Sequence, residues 1–264
     1  MIAWLSDDLF ALLGSTYYLF YPFYILLGGM LYPESIYVAV LVLYVYFTIK
    51  YVRQAKTSDL LLSVAVVAVL GHIKMTSWSL IVVTAAAFLM INHKINRELL
   101  IRGTLAAFVF LLVSLPWGIR NYQLRGRVSL PRNYASESDE SEVGRRLNKS
   151  EGPVQNFAMF FSPDVTGAVT ENKFKSPLTR LVSLLAVTPL LLATLVLPFL
   201  RRGKFIYLLY GTLIAYALPY VLLQARTRYR LPIDFVMIIF LALALHFVWH
   251  KLSSKRQRDP EAMT

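Results

Sequence analysis

Apolar residues in this chain come in long blocks separated by short polar stretches. Eight blocks approach the ~20 residues that a helix needs to cross a bilayer: 9–31, 35–51, 59–73, 76–92, 100–116, 181–200, 205–223 and 231–249. The pattern predicts an all-α fold, a polytopic transmembrane helical bundle of about eight spans with one large loop on the outer face. On this reading residues 1–116 hold spans one to five, 117–180 form the extracytoplasmic loop, 181–250 hold spans six to eight, and 251–264 are a cytoplasmic tail, disordered from Ser253. The third and fourth blocks are short, and read either as tilted, partly crossing helices or as one helical hairpin. No internal repeat stands out.

The connections between blocks set an orientation. Lys50, Arg53 and Lys56, then Lys94, Arg97 and Arg102, then Arg201, Arg202 and Lys204, then Lys251, Lys255, Arg256 and Arg258 fall on one side by parity. An excess of Lys and Arg marks the cytoplasmic side. The other side carries Pro33-Glu34, His72–Thr76, the loop 117–180 and the stretch Gln224–Asp234, QARTRYRLPID. This last stretch puts Arg226, Arg228 and Arg230 on the face where basic residues are normally scarce.

Composition agrees with membrane insertion: 57% of the 264 residues are hydrophobic, and mean hydropathy is +0.55, whereas soluble domains are about 45–50% apolar. The net charge of +12 does not imply nucleic acid, because the basic residues lie in loops between apolar blocks, where orientation and lipid head groups account for them. There is no cysteine, so no redox compartment can be read.

The arginine stretch is the sharpest chemical signal. Charges beside a bilayer core are costly unless they reach the interface or a partner, and a guanidinium matches phosphate or carboxylate in a bidentate way. Interfacial anchoring by arginine and tyrosine is the plainer alternative. Together with Glu34, Lys74 and Arg120, all at span ends on one side, the stretch reads as a site for an anionic lipid head group. Elsewhere signals are weak. The acidic run Ser136–Glu142 reads as a solvated turn. The segment Phe157–Phe161 reads as a short amphipathic helix at the membrane surface. His246 and His250 share a helical face without a visible third metal ligand.

Two stretches, PWGIRNYQLRG (116–126) and RYRLPIDFVMIIFLALAL (228–245), resemble the C-type (GT-C) membrane glycosyltransferases, in particular the bacterial protein mannosyltransferases and the lipid A aminoarabinose transferase. YPFYILLGGMLYPES (21–35) resembles the family's proline-bearing span followed by an acid, and VLGHIKMTSWSLIV (69–82) its Leu-x-Lys hairpin. The resemblance implies transfer of a sugar from a polyprenyl-phosphate donor to an acceptor hydroxyl of a glycan, lipid or protein, at the outer face of a multi-pass protein of the bacterial inner membrane. The partners implied are the lipid-linked sugar, its acceptor and the bilayer, with no nucleic acid; no cofactor and no metal are implied. Matched position by position, Glu34 takes the carboxylate role in acid–base or acceptor-positioning work. Lys74, Arg228 and Arg230 take the donor phosphate, supported by Arg120 and by a hydrogen bond from Tyr229. Members of the family carry a further span and an outer loop with the key aspartate ahead of the stretch matching 9–31, so a catalytic segment is expected outside these residues. The rival readings are a non-catalytic or degenerate membrane subunit that binds lipid-linked sugars, and a polysaccharide polymerase or ligase. A transporter would need paired repeats and broken mid-membrane helices.

Overall fold

The computed structural model describes residues 8–22, 33–92, 97–125, 152–162, 177–200, 203–223 and 229–258. Its elements are all helical: α1 (Asp8–Leu19), α2 (Pro33–Gln54), α3 (Thr57–Ile73), α4 (Leu80–Ile91), α5 (Arg97–Arg125), α6 (Pro153–Phe160), α7 (Pro177–Leu200), α8 (Lys204–Leu223) and α9 (Asp234–Arg258). Tight 3₁₀ turns, Met75–Ser79 and Leu231–Ile233, precede α4 and α9.

Among the described residues five helical stretches are long and apolar enough to cross a membrane: Ile36–Gln54, Arg97–Arg120, Arg180–Leu200, Lys204–Leu222 and Leu231–Ser253. Of the other three blocks predicted to span, the third and fourth form the shorter apolar helices Thr57–Ile73 and Thr76–Ile91. The first is described only as far as residue 22. This set is compatible with a multi-pass membrane protein. Two boundaries move. α5 runs through Pro116 to Arg125, since a proline inside a membrane-length helix is tolerated where neighbours re-satisfy the freed backbone. α9 continues into the expected disordered tail as far as Arg258, because SSKRQR holds no helix breaker ahead of Pro260.

The Leu231–Ser253 span is the hub, with 72% of its apolar window buried, against 6% for Arg97–Arg120. α1 and α7 pack on α9, α2 packs on α3, α8 packs on α4 and on the Met75–Ser79 turn, and α5 packs chiefly on α3. Leu111, Leu112 and Leu115 of α5 remain exposed, which is compatible with a helix that faces lipid, where exposed apolar residues carry no cost.

Polar side chains knit these helices together. Tyr37, Tyr44 and Tyr51, spaced seven apart along α2, are buried. Tyr37 shares a 2.5 Å hydrogen bond with Ser77, Tyr44 donates to the Leu80 carbonyl at 3.0 Å, and Tyr51 accepts from Asn92 at 3.1 Å. Pro198 in α7 lacks the N–H that would bond the carbonyl four residues earlier, and that Thr194 carbonyl accepts from the Tyr210 hydroxyl of α8.

The bundle has two ends. At one, Lys50 pairs with Asp59 at 3.1 Å and Arg102 pairs with Glu98 while reaching the Ala55 carbonyl. At the other lie Lys74, Tyr37, Phe160, Tyr220, Tyr229 and Arg230, joined by the contacts described next.

Candidate functional site

Lys74 is a corner residue. α3 ends before it, and its extended backbone (φ −142°, ψ 112°) turns the chain into the 3₁₀ turn. Its N–H donates to Leu70 O at 2.8 Å and its carbonyl accepts from Ser77 N at 2.9 Å. So fixed, the corner projects a half-buried ammonium 5.3 Å from the Tyr37 ring and 5.8 Å from the Tyr229 ring. A cation within about 6 Å of a ring centroid is attracted by the π face.

Tyr229 is held on three sides. Its ring stacks on Tyr220 at 5.0 Å, its carbonyl accepts from Tyr216 at 2.9 Å, and Lys74 lies over its ring. Tyr220 in turn shares a 2.8 Å hydrogen bond with Thr76 and stacks on Phe160 at 6.0 Å. The hairpin around Lys74 and the start of the last span therefore meet, although far apart in sequence.

Arg230 is fully buried. Its Nε donates to Asp234 Oδ1 at 2.9 Å, and its Nη1 donates to the carbonyls of Ser162 at 2.6 Å and Phe160 at 3.4 Å. Those carbonyls close the C-terminal end of α6, where helical carbonyls lack internal partners and a cation is favoured. Asp234 opens α9, where a carboxylate is favoured, and its Oδ2 accepts from the Tyr21 hydroxyl at 2.6 Å. One buried ion pair thus ties Tyr21, α6 and α9 together. Arg230 Nη2 has no hydrogen-bond partner among the described residues.

α6 is the short amphipathic helix expected around Phe157. Phe160 and Asn156, one turn apart, are buried, and Asn156 donates to the Val221 carbonyl at 3.0 Å near the end of α8. Val154, Phe157 and Met159 stay exposed.

The structure thus brings together Lys74, Tyr229 and Arg230. Arg120 is exposed on α5, over the Trp117 ring at 5.1 Å, and Trp117 stacks on His72 at 5.7 Å, so Arg120 stands beside this end of the bundle. Glu34 lies in the first turn of α2, but its side chain falls outside the described residues, as do Arg226 and Arg228. Sequence reasoning missed Asp234, Tyr21 and Tyr37. A signal for Asp234 was present, since Arg and Asp four apart at a helix start are spaced to pair; Tyr21 carried none.

No group of three or more metal-ligating side chains occurs among the described residues. His246 and His250 have ring centroids 6.3 Å apart, and His246 packs edge-on against Phe10. What the Lys74 end offers chemically is an ammonium framed by tyrosines, beside a buried Arg230–Asp234 ion pair whose Nη2 has no hydrogen-bond partner among the described residues. Compared with family models, curated proteins and solved structures, the chain matches none.

Proposed function

We propose that the Lys74 end of the bundle, at the outer membrane face, binds the phosphate of a polyprenyl-phosphate-linked sugar, and that the chain serves glycosyl transfer to an acceptor hydroxyl. One observation carries this reading. Three stretches on which the glycosyltransferase resemblance rests meet at one end: Lys74 lies over Tyr229, and Tyr21 donates to Asp234. In this proposal Lys74 supplies the positive charge for a leaving phosphate, with Arg120 at the rim; Arg230 and Arg228, whose place lies outside the described residues, are the further donor-phosphate ligands. Glu34, opening the helix that carries Tyr37, is the carboxylate of this proposal. The full bundle has about eight spans in a bacterial inner membrane.

A second reading, a non-catalytic subunit that holds lipid-linked sugar, is favoured by the state of Asp234. This carboxylate is already committed to Arg230 and Tyr21, so it is no free base. A transfer assay separates the two. The chain is reconstituted in lipid nanodiscs with a polyprenyl-phosphate-linked sugar and an acceptor extract, and release of polyprenyl phosphate is followed. Release that disappears in Lys74→Ala supports the enzyme. Binding of the donor without release supports the subunit, and neither binding nor release overturns both.

A further inference from the structure

We propose that the end of the α3–α5 interface beside Lys74 is a binding site for an uncharged carbohydrate, recognised through its hydroxyls. This rests on other residues than the phosphate reading. Along α5 the partly buried positions include 103, 106, 110, 113, 114 and 117, which form a single helical stripe, and the helix packs chiefly on α3. Near the Lys74 end this seam stops being apolar.

Four polar atoms are buried there with no hydrogen-bond partner among the described residues: Trp78 Nε1, His72 Nδ1, Ser114 Oγ and Trp117 Nε1. Their placement is coherent. Trp78 lies against Gly71, where an added Cβ would fall 1.5 Å from its Nε1, and packs edge-on against Phe110. His72, the next residue, donates from Nε2 to the Val113 carbonyl at 3.0 Å, which leaves Nδ1 an acceptor in the neutral ring. Its face stacks on Trp117. Ser114 is one turn from both Phe110 and Trp117.

Buried polar groups are nearly always paired, because leaving them unpaired is costly. Four in one seam are better explained by a shared ligand than by four separate defects. The set has two indole N–H donors, a hydroxyl and an imidazole nitrogen between aromatic walls. That combination suits the alternating donor and acceptor hydroxyls of a sugar rather than an anion. Among the five long helices α5 is the least buried.

Indole N–H signals test this directly. The chain, with its tryptophans ¹⁵N-labelled, is placed in phosphatidylcholine nanodiscs and titrated with glucosyl diacylglycerol or, separately, with methyl glucoside in water. The expected result is a saturable shift of the Trp78 and Trp117 signals, with Trp249 at the far end of α9 unmoved. Shifts with both probes identify a soluble sugar as a source, and shifts with the glycolipid alone identify a membrane-anchored one. Trp117→Phe, which keeps the ring and removes the donor, combined with Ser114→Ala weakens the response about tenfold, read on Trp78. Lys74→Ala leaves it intact, which separates this proposal from the phosphate reading. Signals unmoved by either probe, or equal shifts at Trp249, overturn it.

Discussion

Arg230 and Asp234 form a fully buried ion pair, Nε to Oδ1 at 2.9 Å, across the first turn of the last helix. The pair does more than neutralise itself: the guanidinium also closes the end of α6, and the carboxylate also anchors Tyr21. Removing one partner of such a pair strands the other charge, which costs about 3–5 kcal/mol. Asp234→Ala is therefore expected to destabilise the solubilised protein by that amount in denaturant unfolding. The double variant Arg230→Met with Asp234→Leu is expected to lose markedly less. Equal losses would show that the ion pair is not what holds this junction.

Gly71 is required by packing. A Cβ there would fall 1.5 Å from Trp78 Nε1 and 2.0 Å from its Cδ1, and forcing bulk into a packed seam costs about 1–3 kcal/mol. Gly71→Ala should lower the melting temperature, and adding Trp78→Leu should recover most of the loss.

Ala55 turns α2 into α3 with φ 55°, a left-handed conformation that costs a residue bearing a Cβ about 1–2 kcal/mol. Ala55→Gly should stabilise the protein by about 1 kcal/mol at this corner, measurable as a raised unfolding midpoint. A lowered midpoint would mean that the loss of backbone entropy in glycine outweighs the relief of strain.

The long spans were legible because apolar runs of membrane length admit few other structures; α7 and α8 fall close to their predicted ranges, while α9 overruns its predicted end. Lys74 was legible for the same reason, as a cation interrupting two apolar blocks. Other features were hidden by the long-range nature of their contacts. Tyr21 finds Asp234 across 213 positions, a separation that no local pattern encodes. Asp234 was masked by the arginines before it, which drew attention to anions outside the chain, whereas the nearest anion for Arg230 is its own neighbour four residues on. The polar seam on α5 was masked too, since Ser114 sits in a block whose hydropathy reads only as span and Trp117 was assigned to the start of the outer loop. Phe160 was read as part of a surface helix, but together with Asn156 it docks that helix onto α8.

Lys74 tests the central claim most directly, because it lies on a corner rather than in the buried ion-pair network, and its replacement is expected to leave the fold intact. Binding of polyprenyl phosphate is measured in nanodiscs for the wild type, for Lys74→Ala, and for Lys56→Ala, an exposed lysine between α2 and α3 at the opposite end. Loss of a charge-assisted phosphate contact of about 1.5–3 kcal/mol corresponds to a drop in affinity of at least tenfold. The account predicts that drop for Lys74→Ala and unchanged affinity for Lys56→Ala. Equal affinities for all three proteins, or no binding by the wild type, would contradict it.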